Sequence, residues 1–462
     1  LFTPKVVGNS MTLIEKSSLD IEQIDGKLEV LLLRNILIIL SASLISGFFT
    51  FLMRQTIINV SRHIEFDLKN DVYNHYQSLC SLFYKTNRTG DLMSRITEDV
   101  SKVRMYVGPA IMYSINTITL FVIVISFMFS ISPSLTIYSL IPLPVLSFTI
   151  YRLSKKIHLK STLVQEYLAK LSTFSQETFS GIKIIKSFNM QKIVTEKFEN
   201  FSISSKNKSV DLSKVQALFF PLMILLIGIS NIIVIYVGGN QYIEGKINIG
   251  VIAEFIIYIT MLTWPVAVVG WVTSIIQQAE ASQKRINSFL KSKSSIDNYG
   301  KILNLKSSDI KFKNVSFKYP ETNLYALKNI NFSIESGKTL GIIGKTGAGK
   351  STILELITRS YDVTSGNIYL DSQLLSSYDL KSLKSFISYV PQNSFLFSDT
   401  IIENIKFGNY TAKDSEVNKV AKDSSIHSDI SRFKDEYETL LGERGVNLSG
   451  GQIQRITIAR AL

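Results

Sequence analysis

The sequence has very little cysteine and little charge, and each shortage excludes a class of protein. Of its 462 residues only Cys80 is a cysteine, so neither an intrachain disulfide framework nor a cysteine-rich zinc module can form. Charged residues make up 19%, below the ~25% that is usual for soluble domains. Hydrophobic residues reach 46%, which excludes a largely disordered chain and predicts that part of the protein faces lipid.

Positive charge is in excess, but it is not concentrated as a nucleic-acid-binding domain requires. The formal net charge is +13. Residues 1–299 carry 29 Lys and Arg against 20 Asp and Glu, and residues 300–462 carry 21 against 17. The second part of the chain is therefore not predicted to bind nucleic acid.

Long uncharged runs dominate the first 290 residues. No charged residue occurs from Met105 to Tyr151, and the turn signal at 132–134 divides this run into two segments. At ~20 residues per crossing, five segments are long enough to cross a bilayer. They lie at about 35–55, 105–131, 134–152, 215–240 and 248–275. We therefore predict a polytopic α-helical membrane domain over residues 1–290; buried helices of a large soluble protein are the weaker alternative.

The distribution of lysine and arginine predicts the orientation of these segments. Residues 54–104 carry eight of them and residues 152–214 carry twelve, whereas the turn at 132–134 has none. By the positive-inside rule the two long connections are cytoplasmic, and the segment before Asn35 is external.

An external amino end requires a signal peptide or an earlier span, and residues 1–30 show neither. A first span is therefore expected to be largely missing, with residues 1–4 as its outer end and residues 9–30 as a polar external loop.

The two cytoplasmic connections are too long to be turns, and we predict that they are helical hairpins. Two antiparallel helices of such a connection would project ~37 Å beyond the bilayer at 1.5 Å per residue. The helical pattern breaks at residues 86–91 in the first and 187–190 in the second. They are ordinary solvated hairpins unless the chain also contains a cytoplasmic domain for their tips to contact, in which case they would act as levers.

A polar linker at 291–308 is followed by a different pattern. Strands are predicted at Ile310–Tyr319, Ile330–Ile334 and Thr339–Ile343. The last of these leads into the phosphate-loop pattern GxxxxGK[ST], followed by a helical stretch at 353–360. The residues of this loop are Gly344, Lys345, Thr346, Gly347, Ala348, Gly349, Lys350, Ser351 and Thr352.

Each part of this loop suits one part of a nucleoside triphosphate. Glycines let backbone N–H groups close around a phosphate, and the start of the following helix adds partial positive charge. Lys350 brings a full charge to the β- and γ-phosphates, and Ser351 offers a hydroxyl to Mg²⁺. A plain glycine-rich turn is the alternative, and the strand-loop-helix context argues against it.

Further motifs lie on either side of the phosphate loop. Residues 448–452 read LSGGQ and lead into 453–462, which alone would be an N-capped helix start. Upstream, Tyr319 closes a predicted strand, Gln392 follows Pro391, and a further glycine pair occurs at 442–445.

Together these motifs resemble the nucleotide-binding domain of ABC transporters over residues 309–462. The phosphate loop, a glutamine loop and the LSGGQ signature occur in the family's order. Five spans, two long cytoplasmic loops and a membrane domain that precedes the ATPase resemble the exporter type, in which each polypeptide is half of a dimer. The resemblance implies an α-helical polytopic membrane domain followed by an α/β P-loop ATPase domain.

The resemblance also implies a role for each motif. Tyr319 would stack on adenine, Lys350 and Gln392 would be catalytic, and Ser351 and Gln392 would hold Mg²⁺. Residues 442–445 would contact the loop tips. The signature would grip the γ-phosphate of ATP bound to the other protomer through Ser449, Gly450, Gly451 and Gln452.

One departure from the family's pattern concerns the end of the sequence. The family continues with a strand ending in Asp-Glu and a later histidine, and neither position follows Leu462. The sequence is therefore expected to be truncated at both ends and, as given, to be deficient in hydrolysis.

The implied function is ATP-driven export of a hydrophobic or amphipathic substrate, a drug or a lipid, by alternating access across the plasma or inner membrane. The partners implied are a second half transporter, membrane lipid and the substrate, and the ATP-binding domain would be cytoplasmic. Peptide export is an open alternative. An ATP-gated channel or regulator is a second one, disfavoured because the phosphate loop and the signature are intact; a soluble ATPase fails on the five spans.

Overall fold

The structure is a computed structural model that describes residues 2–19, 27–442 and 447–462. It divides into two compact units. The helical unit comprises Leu1–Tyr76 and Gly90–Ser292, and the α/β unit comprises Gln77–Thr89 and Lys293–Leu462. The short segment Gln77–Thr89 thus belongs to the α/β unit although the chain on both sides of it belongs to the helical unit.

Helices account for almost all of residues 2–290. They are α1 (Phe2–Leu19), α2 (Lys27–Ser78), α3 (Ser81–Thr86), α4 (Thr89–Ser94), α5 (Val100–Met105), α6 (Ile111–Ile131), α7 (Pro133–Leu140), α8 (Pro142–Ser180), α9 (Ile182–Ser187), α10 (Gln191–Gln216), α11 (Phe219–Ile243) and α12 (Ile249–Leu290). Two π-helical turns, Arg95–Asp99 and Tyr106–Ala110, flank α5.

Five stretches of the described chain are long and apolar enough to cross a membrane, and each contains one predicted span. They are Leu28–Ser78, Thr89–Ile131, Pro133–Ser180, Gln191–Ile243 and Ile249–Leu290. With 52 residues, α2 is about 78 Å long, more than twice the ~30 Å hydrocarbon core. The prediction that the long connections are helical is therefore confirmed.

The turn predicted between two of the spans is also confirmed. α6 ends at Ile131, and Ser132 adopts an extended conformation with φ −151° and ψ 101°. The Ser132 hydroxyl accepts a hydrogen bond from the Leu135 amide at 3.4 Å, and Pro133 begins α7. Proline favours the first position of a helix because its φ is already helical and no N–H is lost there.

The prediction of a polar loop at residues 9–30 is wrong for residues 9–19, which are helical in α1, and for residues 27–30, which begin α2. Residues 20–26 lie outside the described chain. The physical reason is close packing of α1 on α12, since a Cβ atom placed on Gly250 would overlap the carbonyl oxygen of Gly8. Two glycines let the backbones approach closely, and the resulting contact stabilises a helix that sequence polarity does not predict.

The core of the helical unit forms where α6, α7, α11 and α12 meet. Phe255, Tyr258 and Leu262 of α12 are fully buried there, together with Val124, Met128, Leu135 and Val234. Glu254 is also buried, at 6% exposure, and accepts a hydrogen bond from the Tyr258 hydroxyl at 2.8 Å. The packing of α1 beside it contributes to this burial, since a Cβ atom on Gly8 would lie 3.3 Å from Glu254.

The α/β unit contains a four-stranded antiparallel sheet. Its strands are β1 (Ile310–Lys318), β2 (Tyr325–Ile334), β3 (Ser365–Leu370) and β4 (Gln373–Leu374), and their order in the sheet is β2-β1-β3-β4. Phe312 pairs with Phe332 on one side and with Ile368 on the other, and the two phenylalanine rings stack with centroids 4.3 Å apart. The helices are α13 (Lys350–Ile357), α14 (Leu380–Ser385), α15 (Ile401–Lys406), α16 (Asp414–Asp423), α17 (His427–Ile430) and α18 (Gly450–Ala461).

The strand predicted at Thr339–Ile343 is not formed in the structure. A strand requires a neighbouring chain to accept its ladder of hydrogen bonds, and β-branched composition alone does not supply one. No described segment pairs with these residues, and Ile343 is 98% exposed. The strand predicted at Ile330–Ile334 is present but begins five residues earlier, at Tyr325.

Two buried clusters stabilise the α/β unit. The first cluster joins the sheet to α13 and includes Phe312, Phe317, Leu356 and Tyr378. The second cluster joins α15, α16, α17 and α18, with Ile401, Val417 and Ile456 among its members. The fold class is confirmed: a helical membrane domain is followed by an α/β domain that carries the phosphate loop.

Candidate nucleotide-binding site

The phosphate loop has a backbone that only glycine adopts easily. Gly347 and Gly349 have φ of +82° and +83°, in the left-handed region. A Cβ atom on Gly349 would lie 2.5 Å from the carbonyl oxygen of Ala326 and 2.8 Å from a methyl group of Leu327. Gly349 therefore allows the loop to pass close to β2 and α13 to begin at Lys350.

The amine of Lys350 lies inside the curve of this loop. It donates hydrogen bonds to the carbonyl oxygens of Gly344 at 2.7 Å and Lys345 at 2.8 Å. These bonds hold the lysine against the backbone of the loop, at the start of α13. A phosphate bound there would meet a cation and a helix N-terminus together.

The two hydroxyl residues after Lys350 point in different directions. Ser351 is exposed in the first turn of α13, where its hydroxyl is free to meet a phosphate-bound metal ion. Thr352 is buried at 4% exposure, and its hydroxyl lies 2.9 Å from that of Tyr319. Thr352 thus ties the phosphate loop to the end of β1.

Tyr319 is held at both its ring and its hydroxyl. The hydroxyl donates to the carboxylate of Glu355 at 2.9 Å, so the Thr352 hydroxyl donates to the phenol oxygen. The ring lies edge-on to Phe317 and Tyr361, with centroids 5.0 Å and 5.6 Å away. Burial raises the pKa of Tyr319, so the phenol stays neutral at physiological pH. Its stacking on adenine stays a prediction.

Gln392 is exposed in an irregular segment, and the chain just after it is anchored by Asn404. The buried Asn404 side chain accepts from the Phe397 amide at 2.9 Å and donates to the Phe397 carbonyl at 3.1 Å. Arg460 of α18 donates to the Asn404 backbone carbonyl at 2.9 Å and to its side-chain oxygen at 3.1 Å. The segment after Gln392 is therefore tied to the signature helix.

The signature begins α18 with a reciprocal cap. The Ser449 hydroxyl accepts from the Gln452 amide at 3.3 Å, and the Gln452 side chain accepts from the Ser449 amide at 2.9 Å. α18 packs in the second cluster, whereas α13 packs in the first. Signature and phosphate loop are thus built on different clusters. Of the predicted tip-contacting residues 442–445, residues 443–445 lie outside the described chain.

A magnesium ion would fit the phosphate loop only if oxygens of a bound phosphate supplied part of its coordination shell. Among the described residues, no group of three or more His, Cys, Asp or Glu side chains could hold a metal ion. Ser351 and Gln392 offer neutral oxygens, which suit Mg²⁺ when phosphate oxygens complete its shell.

Sequence reasoning missed three residues that organise this site: Glu355, Asn404 and Arg460. Glu355 stands four residues after Ser351, so helical spacing places it on the same side of α13. This spacing was the only signal, because its partner Tyr319 is 36 residues away in the chain. Asn404 and Arg460 are 56 residues apart and carry no recognisable pattern.

Comparison with protein families assigns both parts of the chain. The family model described as "ABC transporter transmembrane region" matches residues 14–266, and the model described as "ABC transporter" matches residues 327–462. The two matches follow one another in the order that the sequence motifs predict.

Curated relatives and a solved structure agree with these matches. The chain is 35% identical to "Multidrug resistance-like ATP-binding protein MdlA" of Buchnera aphidicola subsp. Baizongia pistaciae, over 100% of this chain and 79% of the relative. It is 33% identical to the protein of that name in Escherichia coli K12, over 89% of this chain and 70% of the relative. A structure titled "Structure of a bacterial Atm1-family ABC exporter with ATP bound" shares the fold at TM-score 0.77 and 22% identity, covering 99% of this chain and 82% of that one. The chain therefore belongs to the ABC transporter family, as a membrane protein whose ATPase domain is coupled to transport.

Proposed function

We propose that the protein exports a hydrophobic or amphipathic substrate, a drug or a lipid, by alternating access driven by ATP. The observation that carries this proposal is an ordered phosphate loop, with Lys350 held inside it, in a chain with five apolar helices. The names of the relatives describe them as multidrug-resistance-like, which supports this substrate class over peptides.

Lys350 and the loop amides would bind the β- and γ-phosphates, and Tyr319 would stack on the base. Mg²⁺ would be held by Ser351 and Gln392, where it neutralises charge that develops on the phosphates. Gln392 would move with the segment that Asn404 anchors to α18. Binding of the γ-phosphate would thereby change the position of the signature helix.

Two protomers would complete each site. Because the signature and the phosphate loop are built on separate clusters, one ATP between the loop of one protomer and Ser449, Gly450, Gly451 and Gln452 of another would hold two ATPase domains together. The proposed organisation is a membrane domain at 1–290, a linker at 291–308 and an ATPase domain at 309–462. The membrane domain would lie in the plasma or inner membrane, and the ATPase domain would be cytoplasmic.

Complementation tests the shared site. Neither a Lys350→Ala nor a Ser449→Arg protomer should hydrolyse ATP alone in lipid nanodiscs, because each lacks one half of both sites. Mixed dimers contain one loop and one signature that are intact and opposed, so they should regain activity. If the mixed dimers did not hydrolyse ATP, the proposal that two protomers share each site would be wrong.

ATP hydrolysis by the full-length protein in nanodiscs tests the coupling to substrate. Amphipathic compounds should stimulate it more than peptides of equal mass. Lys350→Ala should reduce it on the order of a hundredfold, since it removes charge that stabilises the transferring phosphoryl group. Lys338→Ala removes an exposed lysine outside the loop and should have no such effect. Stimulation by peptides alone would favour peptide export.

A further inference from the structure

The segment Gln77–Thr89 contacts the rest of the α/β unit through Leu82, which packs against the first cluster, and through the charged side chain of Lys85. Lys85, near the end of α3, places its amine 3.0 Å from one carboxylate oxygen of Glu355 on α13. The same amine lies 4.9 Å from the centre of the Tyr361 ring. Both contacts are made on or just after the helix that follows the phosphate loop.

Glu355 uses its second oxygen for a different partner. This oxygen accepts the hydrogen bond from Tyr319, and the first oxygen is taken by Lys85. The Lys85 and Glu355 side chains are 48% and 23% exposed, so solvent screens the pair in part and its contribution is modest. Burial alone lowers the pKa of Lys85, but bonds to Tyr361 and Glu355 outweigh it and raise the pKa, which keeps the amine charged.

We propose that Glu355 is a positioning residue through which the segment Gln77–Thr89 sets the affinity of the site for the base of the nucleotide. The inference rests on the proposed stacking of Tyr319 on adenine. It deepens that function by making the strength of stacking depend on whether Lys85 is docked.

Docking of Lys85 restricts the movement of the Tyr319 ring through Glu355. Lys85 and Tyr319 hold the Glu355 carboxylate from opposite sides, and Glu355 and Thr352 together hold the phenol. Removing the amine leaves the carboxylate free to turn towards water, and the Tyr319 hydroxyl then loses its charged acceptor. A mobile ring must be ordered again before a base can stack on it, which weakens base binding.

The effect is specific to the base because the phosphates are bound elsewhere. Lys350 is fixed by Gly344 and Lys345, and neither bond involves Glu355. Coupling between two binding events is reciprocal, so ATP should in turn stabilise the docked segment. A purely structural role for the ion pair would instead weaken base and phosphate binding alike.

The experiment compares two ligands on the full-length protein in nanodiscs. Lys85→Met should weaken ATP binding by about three- to tenfold, the range for loss of one hydrogen bond, and leave inorganic tripolyphosphate binding unchanged. Arg88→Met removes an exposed cation from the same segment and should change neither affinity. Equal weakening of both ligands by Lys85→Met, or no weakening of ATP, would overturn the inference.

A double-mutant cycle separates the proposed path from other effects. Tyr319→Phe keeps the stacking ring but removes the hydroxyl, so adding Lys85→Met to it should have no further effect. Glu355→Gln leaves one acceptor oxygen for both Lys85 and Tyr319 in place of two, so it should weaken ATP binding as Lys85→Met does. If Lys85→Met weakened ATP binding as much in the Tyr319→Phe protein as in the unchanged protein, the path through Glu355 would be contradicted. If Lys350→Ala did not weaken binding of either ligand, the proposed function itself would be wrong.

Discussion

At the scale of single residues, Gly349 determines how the phosphate loop enters its helix. Its φ of +83° costs a residue with a side chain about 1–2 kcal/mol, and any Cβ atom would also meet Ala326 and Leu327. Gly344 in the same loop is different, because a Cβ atom there would have only an ordinary contact of 3.5 Å with Ala348.

Gly349→Ala should therefore loosen the start of α13. We expect faster hydrogen–deuterium exchange over residues 350–357 in the absence of nucleotide, while Gly344→Ala should leave exchange there close to that of the unchanged protein. Equal exchange in the two variants would show that the backbone at Gly349 is not strained by a side chain.

Cys80 is a second residue whose surroundings change its chemistry. Burial alone raises the pKa of the Cys80 thiol, but hydrogen bonds from Ser295, Phe83 and Ser294 outweigh it and lower the pKa to about 7. The Cys80 sulfur lies 3.1 Å from the Ser295 hydroxyl. Because the thiolate is the reactive form, its fraction rises as the pH rises through about 7.

Alkylation by iodoacetamide, followed by mass spectrometry of the peptide that contains Cys80, measures this pKa. The rate should be half its plateau near pH 7, and Ser295→Ala should move the midpoint to higher pH, since one hydrogen bond to the thiolate is lost. A midpoint near 8.5, the value of an ordinary thiol, in both proteins would contradict this environment.

At the scale of elements, the packing of α1 on α12 depends on two glycines. Gly250 has no room for a side chain beside Gly8, whereas Gly228 in α11 has nothing within 4 Å of its Cβ position. Replacing glycine by alanine within a helix ordinarily stabilises it by about 0.5–1 kcal/mol. Replacement by alanine should therefore change the stability of the protein in opposite directions at Gly250 and at Gly228.

Gly250→Ala should lower the midpoint of thermal unfolding in nanodiscs, because α1 must move away or strain by about 1–3 kcal/mol. Gly228→Ala should raise the midpoint slightly or leave it unchanged. A rise for both variants would mean that α1 does not pack on α12 at this point.

Elements differ in how far sequence alone predicts them. The spans were predictable because the absence of charge over a bilayer's thickness is a local property of the chain, and so was the phosphate loop, whose spacing is fixed by the phosphates. The absence of a strand at Thr339–Ile343 was not predictable, because a strand forms only where a neighbouring strand is available for pairing. α1 and the bonds of Asn404 were also missed, since both depend on contacts with distant residues.

At the scale of the whole molecule, the two compact units correspond to two tasks. The helical unit contains the five apolar stretches, and the α/β unit contains the phosphate loop and the signature. Gln77–Thr89 is the exception, since it belongs to the α/β unit although α2 and the chain after it continue into the helical unit. Because α2 runs into this segment and α4 runs out of it, movement of the segment would be transmitted along the chain on both sides.

Transport by the reconstituted full-length protein shows whether ATP bound at the phosphate loop drives export. Proteoliposomes whose ATPase domains face outward would be given Mg²⁺, ATP and a fluorescent amphipathic dye, and accumulation of the dye inside would be followed over time. Uptake should require ATP and should be absent in Lys350→Ala proteoliposomes. Hydrolysis of ATP without uptake of any amphipathic compound, or equal uptake by the Lys350→Ala variant, would contradict the proposed export.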